Sequence, residues 1–168
     1  MPTQPDDPVP GVLYSTPSIQ KLSTAIKEIQ NLGYLELGSS TSQSLVSATY
    51  TQLTAFAGVS GAGGGFTSNG SGVTVNAAGR YRVSAIVVYA NTSATGARVA
   101  NISSTPGSQS SNIQATVASA GTGTTTSVMI SYVLPVSAGG QITLWGYQSS
   151  GAALSVLFTR LYVEQLLG

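Results

Sequence analysis

Residues 153–166 run Ala153-Leu154-Ser155-Val156-Leu157-Phe158-Thr159-Arg160-Leu161-Tyr162-Val163-Glu164-Gln165-Leu166, and their reading decides the fold. β-branched and aromatic side chains fill the stretch and no Gly or Pro breaks it, so a long strand is predicted. At the two-residue period of a strand, Leu157, Leu161 and Val163 share one side, and Val156, Phe158, Tyr162 and Leu166 the other. Both faces are therefore largely apolar. A strand with one face open to water alternates apolar and polar side chains instead. Val128–Val136 is similarly apolar on both sides. The expectation is a sheet that packs inward on one face and hides the other against sister subunits, which makes the chain a homo-oligomer.

Working outward, the region from about Ser39 consists of short β-branched and aromatic runs separated by Gly, Ser, Asn and Thr. Ser, Thr and Gly supply 64 of the 168 residues, and with so little helical periodicity the region reads as all-β. Strands are predicted at 45–56, 72–75, 79–89, 97–103, 113–119, 125–136, 141–148 and 153–166. Asn69-Gly70, Pro106-Gly107, Gly121-Thr122-Gly123 and Gly139-Gly140 supply turn chemistry between them. Eight or so strands in one domain suggest a sandwich. The Gly61-Ala62-Gly63-Gly64-Gly65 run lacks the Gly-Lys-Ser/Thr ending of a phosphate loop and is expected to be a flexible loop.

Charged residues make up only 7% of the chain, against a usual share of about a quarter, and there is no Cys or His. The acids are Asp6, Asp7, Glu28, Glu36 and Glu164, which leaves one carboxylate after Glu36 and excludes paired-carboxylate hydrolysis in the main body. Without histidine a serine nucleophile would need Lys21 or Lys27, both in the N-terminal segment. The usual ligands of zinc, iron, copper and calcium are missing, so no metal and no cofactor is expected. A net charge of +1 leaves no electrostatic footprint for nucleic acid or an anionic membrane. The protein is expected not to be an enzyme. Arg160 and Glu164 sit about 13 Å apart along one strand, so each must pair with another strand or subunit.

The beginning of the chain is different. Residues 1–15 hold Pro2, Pro5, Pro8 and Pro10 around Asp6 and Asp7, the composition of an extended arm. Residues 16–33 form the one predicted helix: Thr16 can cap it, Pro17 suits its first position, and Gly33 suits its end. Ile19, Leu22, Ile26 and Ile29 make a seam at heptad spacing. So short a helix is marginal alone, so it forms a three-stranded stalk or docks on its own domain or a partner. No apolar run follows a basic start, so no secretory signal is expected, and no stretch approaches a membrane span in length.

Three stretches carry a resemblance. Val73-x5-Gly79-Arg80-Tyr81-Arg82-Val83 is similar to the signature that opens a central strand in the complement component 1q / tumour necrosis factor jelly roll, with Val73 and Val83 where that family often has Phe. Val136-Ser137-Ala138-Gly139-Gly140-Gln141-Ile142-Thr143-Leu144 resembles its strand-turn-strand passage, with Gly140 in place of the usual Asp. Phe158-x-Arg160-Leu161-Tyr162-Val163-x-x-Leu166-Leu167 resembles its terminal strand. The resemblance spans about residues 43–167 and implies an all-β, ten-strand, two-sheet jelly roll over residues 39–168. It also implies a homotrimer with the terminal strand near a three-fold axis. The family's calcium-binding acids have no counterparts.

Trp145, Tyr147, Leu161, Tyr162 and Val163 are the expected trimer-interface residues. Trp145 and Tyr147 share a strand face with Gln141 and Thr143, where an aromatic pair could equally belong to the domain core or stack on a sugar ring. Arg80 and Arg82 share a face with Ser84, with Arg98 expected nearby, and could contact an anion or a glycan, or be solvated or paired at an interface.

A low-charge trimer that faces the outside yet lacks an export signal suits a particle assembled in a host cytoplasm and released by lysis. The expected role is a bacteriophage virion protein on the external surface, a capsid decoration or fibre-like knob held to capsid or tail protein through residues 1–33. A receptor tip for host glycan and a bacterial spore or cell-surface jelly roll are the alternatives. The latter usually carries a collagen-like stem, and no Gly-x-y repeat is present.

Overall fold

The computed structural model describes residues 17, 20–24, 32–62, 64–110 and 113–166. The chain divides into two units, 1–31 and Leu32–Gly168. In the first, residues 20–24 are helical, and Thr24 Oγ1 donates to the Gln20 carbonyl at 2.9 Å. Leu22 of the expected seam is exposed. Residues 1–15 and Ile19, Ile26 and Ile29 lie outside the described residues.

The second unit is built from antiparallel strands in two six-stranded sheets. The first sheet runs β10 (Thr126–Val136), β7 (Gly79–Tyr89), β12 (Leu154–Leu166), β1 (Tyr34–Ser39), β4 (Ala57–Ala62), with β2 (Gln43–Leu45) also on β12. The second runs β5 (Phe66–Ser68), β6 (Val73–Val75), β11 (Gln141–Gln148), β8 (Ala97–Ser103), β9 (Gln114–Ala118), with β3 (Thr51–Gln52) also on β11. This is the two-sheet jelly roll, with the short pieces β2, β3 and β5 bringing the strands among the described residues to twelve.

The core forms where alternation directs side chains inward. Tyr81, Val83, Ala85, Val87 and Tyr89 of β7 face Val128, Leu134 and Val136 of β10 and Leu161 and Val163 of β12 on one side, and Ala100, Ile102, Ile142 and Leu144 of the second sheet across the layer. Each such Val or Leu contributes about 1.5–3 kcal/mol by leaving water.

Three expectations are corrected. The single strand expected at 45–56 is instead β2 and β3 with a turn between them. Ala48 and Ala55 hold φ of 60° and 63°, a left-handed conformation that ends pairing, and Ala48 N–H donates to the Gln148 carbonyl. The sheet starts at Tyr34, ahead of residue 39, because Tyr34–Ser39 pairs with β12 on one side and β4 on the other. The run read as a flexible loop begins inside β4: Gly61 lies opposite Leu35, where an added Cβ would stand 3.0 Å from Leu35 Cδ1 and 3.2 Å from the Tyr34 carbonyl oxygen. A larger residue there would press on β1, so glycine suits this close approach.

The terminal strand also differs from its sequence reading. The register with β7 passes from Val156 opposite Tyr89 to Phe158 opposite Val88, so Leu157 is an extra, bulged residue. The bulge swaps the faces. Leu154 and Val156 before it, and Thr159, Leu161 and Val163 after it, all face the core, while Leu157 is left exposed.

Candidate functional site

The outer face of the first sheet is the candidate site. Even-numbered positions of β7 point there, namely Arg80, Arg82, Ser84, Ile86 and Val88, beside Ser127, Met129, Ser131, Val133 and Pro135 of β10. From the other side come Phe158, Arg160, Tyr162, Glu164 and Leu166 of β12, then Tyr34 and Glu36 of β1.

Polar groups on this face satisfy one another across strands. Arg82 Nη1 donates to Glu164 Oε2 at 3.1 Å. Arg160 donates to Glu36 Oε1, whose other oxygen accepts from Ser60 Oγ at 3.0 Å. The Arg160 bond first, and the Ser60 bond second, hold the Glu36 carboxyl below the usual carboxylate range. Arg160 and Glu164 each pair with a strand other than their own, as their spacing of about 13 Å on one strand requires. Ser84 and Ser131 share a hydrogen bond of 2.8 Å. Tyr162 stacks on Tyr34 with centroids 5.8 Å apart, and the Arg160 guanidinium lies 5.5 Å from the Phe158 centroid. Burial, with Glu164 adding, pushes the Tyr162 phenol up.

Apolar side chains fill the rest. Ser84, Ile86, Met129, Ser131, Arg160 and Tyr162 line a hollow of about 380 Å³, and Met129 on its rim is 73% exposed. Few structural reasons exist for a lone chain to present Met, Ile and Val beside paired charges in water. Shielding by another copy supplies one.

The structure separates the expected interface residues. Tyr162 lies on the outer face just described. Leu161 and Val163 are fully buried in the core, so their side chains are unavailable to another subunit. Trp145 and Tyr147 stand on the outer face of the second sheet, on the far side of the molecule from Tyr162, and are not in the core. Arg80 and Arg82 are exposed on the first sheet; Arg82 is engaged by Glu164, and Arg80 has no ion pair among the described residues. Arg98 does not join them: it is fully buried on the core side of β8, donating to the Ala97 and Ala94 carbonyls, and burial lowers its pKa. Sequence reasoning missed Glu36, Tyr34 and Ser60, because β1 and β4 were not recognised as strands.

No family model and no curated protein matches the chain. Solved structures do. PRD1 vertex protein P5, a phage protein, superposes with a TM-score of 0.60 at 19% identity over 80% of this chain and 73% of its own. Eiger TNF from S. frugiperda gives 0.58 at 13% over 82% and 94%, and murine APRIL gives 0.53 at 17% over 80% and 99%. The chain thus has the TNF-like jelly-roll fold.

Proposed function

We propose that the protein is a non-enzymatic structural component of a phage virion, a homotrimer closed through the outer face of its first sheet. One observation carries the reading. Of the six charged side chains in residues 32–168, five (Glu36, Arg80, Arg82, Arg160 and Glu164) lie on that one face, interleaved with exposed Met129 and half-buried Ile86 and Val88. Paired charges among apolar groups suit a specific, registered subunit contact, since complementary pairs select orientation while the apolar area supplies attraction. A three-fold arrangement follows the resemblance to TNF-like proteins, and the virion role is supported by the likeness to a phage vertex protein.

Residues 1–33 supply the segment that docks on capsid or tail protein, and the neutral second sheet faces outward from the particle surface as a decoration or fibre-like knob. The test is made on particles purified from lysed host cells. Mass spectrometry is expected to find the chain in the particles, and a chain lacking residues 1–33 is expected to stay trimeric and be lost from them. Particles without the chain, or full retention of the shortened form, would overturn the reading.

A further inference from the structure

We propose that the outer face of the second sheet binds an uncharged pyranose sugar, with Tyr147 and Trp145 as the stacking surface and Gln114 as the polar anchor. The register builds two transverse rows. Gln52, Trp145, Asn101 and Gln114 lie opposite one another on β3, β11, β8 and β9, and Tyr147, Val99 and Thr116 form the next row. Tyr50, one residue before β3, completes that second row: its ring meets Tyr147 at a centroid distance of 4.8 Å, and its hydroxyl donates to Gln114 Oε1 at 2.8 Å.

The rings are held before any ligand arrives. Trp145 Nε1 donates to Thr143 Oγ1 at 2.9 Å, and Thr143 Oγ1 donates to the Ser103 carbonyl at 3.3 Å, a relay into the fully buried part of β8. Asn101 is likewise tied to the backbone of Ser110, which fixes the loop bounding this side. A surface ordered in advance loses little entropy on binding. Among the described residues the Gln114 Nε2 donors and the Tyr147 hydroxyl remain uncommitted, next to the rings.

Charge selects the occupant. The second sheet's outer face carries no charged side chain: Arg98 is on the core side of β8, and the other five charges of this unit are on the opposite sheet. An anionic or cationic partner would find no counter-charge. A pyranose offers an apolar C–H face for aromatic rings and hydroxyls for an amide, which matches what is present. This inference is independent of the trimer and of the virion role.

Trp145 is the chain's one tryptophan, so its fluorescence reports on this face alone. The intact protein is titrated with the methyl glycosides of glucose, galactose, mannose and N-acetylglucosamine. At least one is expected to give a saturable shift in the millimolar range. Tyr147→Ala is expected to weaken it about tenfold or more by removing a stacking ring. Gln114→Ala, at an exposed side chain, is expected to weaken it severalfold at unchanged native mass and unchanged circular dichroism, and it carries the test if Tyr147→Ala fails to fold. The proposal is overturned if none of the four gives saturation, if Gln114→Ala binds as tightly as the parent, or if dextran sulfate competes at low salt. It is also overturned if the spectrum shifts with protein concentration alone, which would mean that a second copy covers the face.

Discussion

Tyr89 and Gly146 share one space across the core. Tyr89 reaches from β7 in the first sheet to the second, where its hydroxyl donates to the Val99 carbonyl at 2.6 Å and accepts from the Tyr147 N–H at 3.1 Å. An added Cβ at position 146 would stand 3.1 Å from that hydroxyl and 2.7 Å from Leu45 Cδ2. The glycine in the middle of β11 is thus the notch into which the other sheet's phenol fits.

Both partners are expected to be intolerant of change. Gly146→Ala overpacks the notch and should cost about 1–3 kcal/mol. Tyr89→Phe keeps the ring but strips the Val99 carbonyl and Tyr147 N–H of a buried partner, a loss of about 1–3 kcal/mol. Urea unfolding at one fixed protein concentration measures both, and a midpoint unchanged in either variant would contradict the fit.

Burial pushes the Tyr89 phenol far up, and Tyr81 is raised for the same reason. An unfolded tyrosine releases its proton near pH 10, so above that value the unfolded chain holds fewer protons than the folded one. Stability is therefore intact below about pH 10 and falls above it, by up to about 1.4 kcal/mol per pH unit for each phenol still protonated in the fold. Urea midpoints at pH 9 and pH 11 should show the drop, and Tyr89→Phe should show a shallower one.

Much of the architecture is legible in the residues themselves. Strands β7, β8 and β11 lie where alternation and turn chemistry place them, because a buried sheet face demands that pattern. β4 escapes notice because Gly58 and Gly61 interrupt it, Gly61 at a close approach to β1, which leaves no hydrophobic alternation to read. The bulge at Leu157 is equally silent: nothing in Val156-Leu157-Phe158 announces that two residues will oppose one. Spacing shows that Trp145 and Tyr147 share a face, but which side of the sheet that face occupies depends on partner strands. Hence the expected interface set mixes core residues with residues of two opposite surfaces.

The apolar hollow on the first sheet yields a test of its covering. Met129 and Ile86 are cross-strand partners there. On an open surface Met129→Glu should change stability by no more than about 0.5 kcal/mol. Under another copy it buries an unpaired charge, and the trimer is expected to dissociate at least about tenfold more readily while the chain stays folded. Sedimentation together with circular dichroism separates the two cases.

Acid should weaken the fold beneath the same face. Glu36 is held below the usual carboxylate range, so its contribution is present above about pH 4.3, the unfolded value, and is lost as pH falls through the lowered one. Urea midpoints followed downward from pH 7 at one fixed protein concentration are expected to drop at acid pH. Glu36→Gln should remove that part of the dependence, and an identical acid profile would show that the Arg160 and Ser60 bonds do not hold the carboxylate down.

The covering of the first sheet's outer face by sister copies is tested most directly by sedimentation equilibrium of the intact chain at micromolar concentration and neutral pH. A single species of three times the 17.0 kDa chain mass is expected, falling toward one chain mass in Met129→Glu. A stable, soluble 17.0 kDa species in the unaltered protein would contradict it.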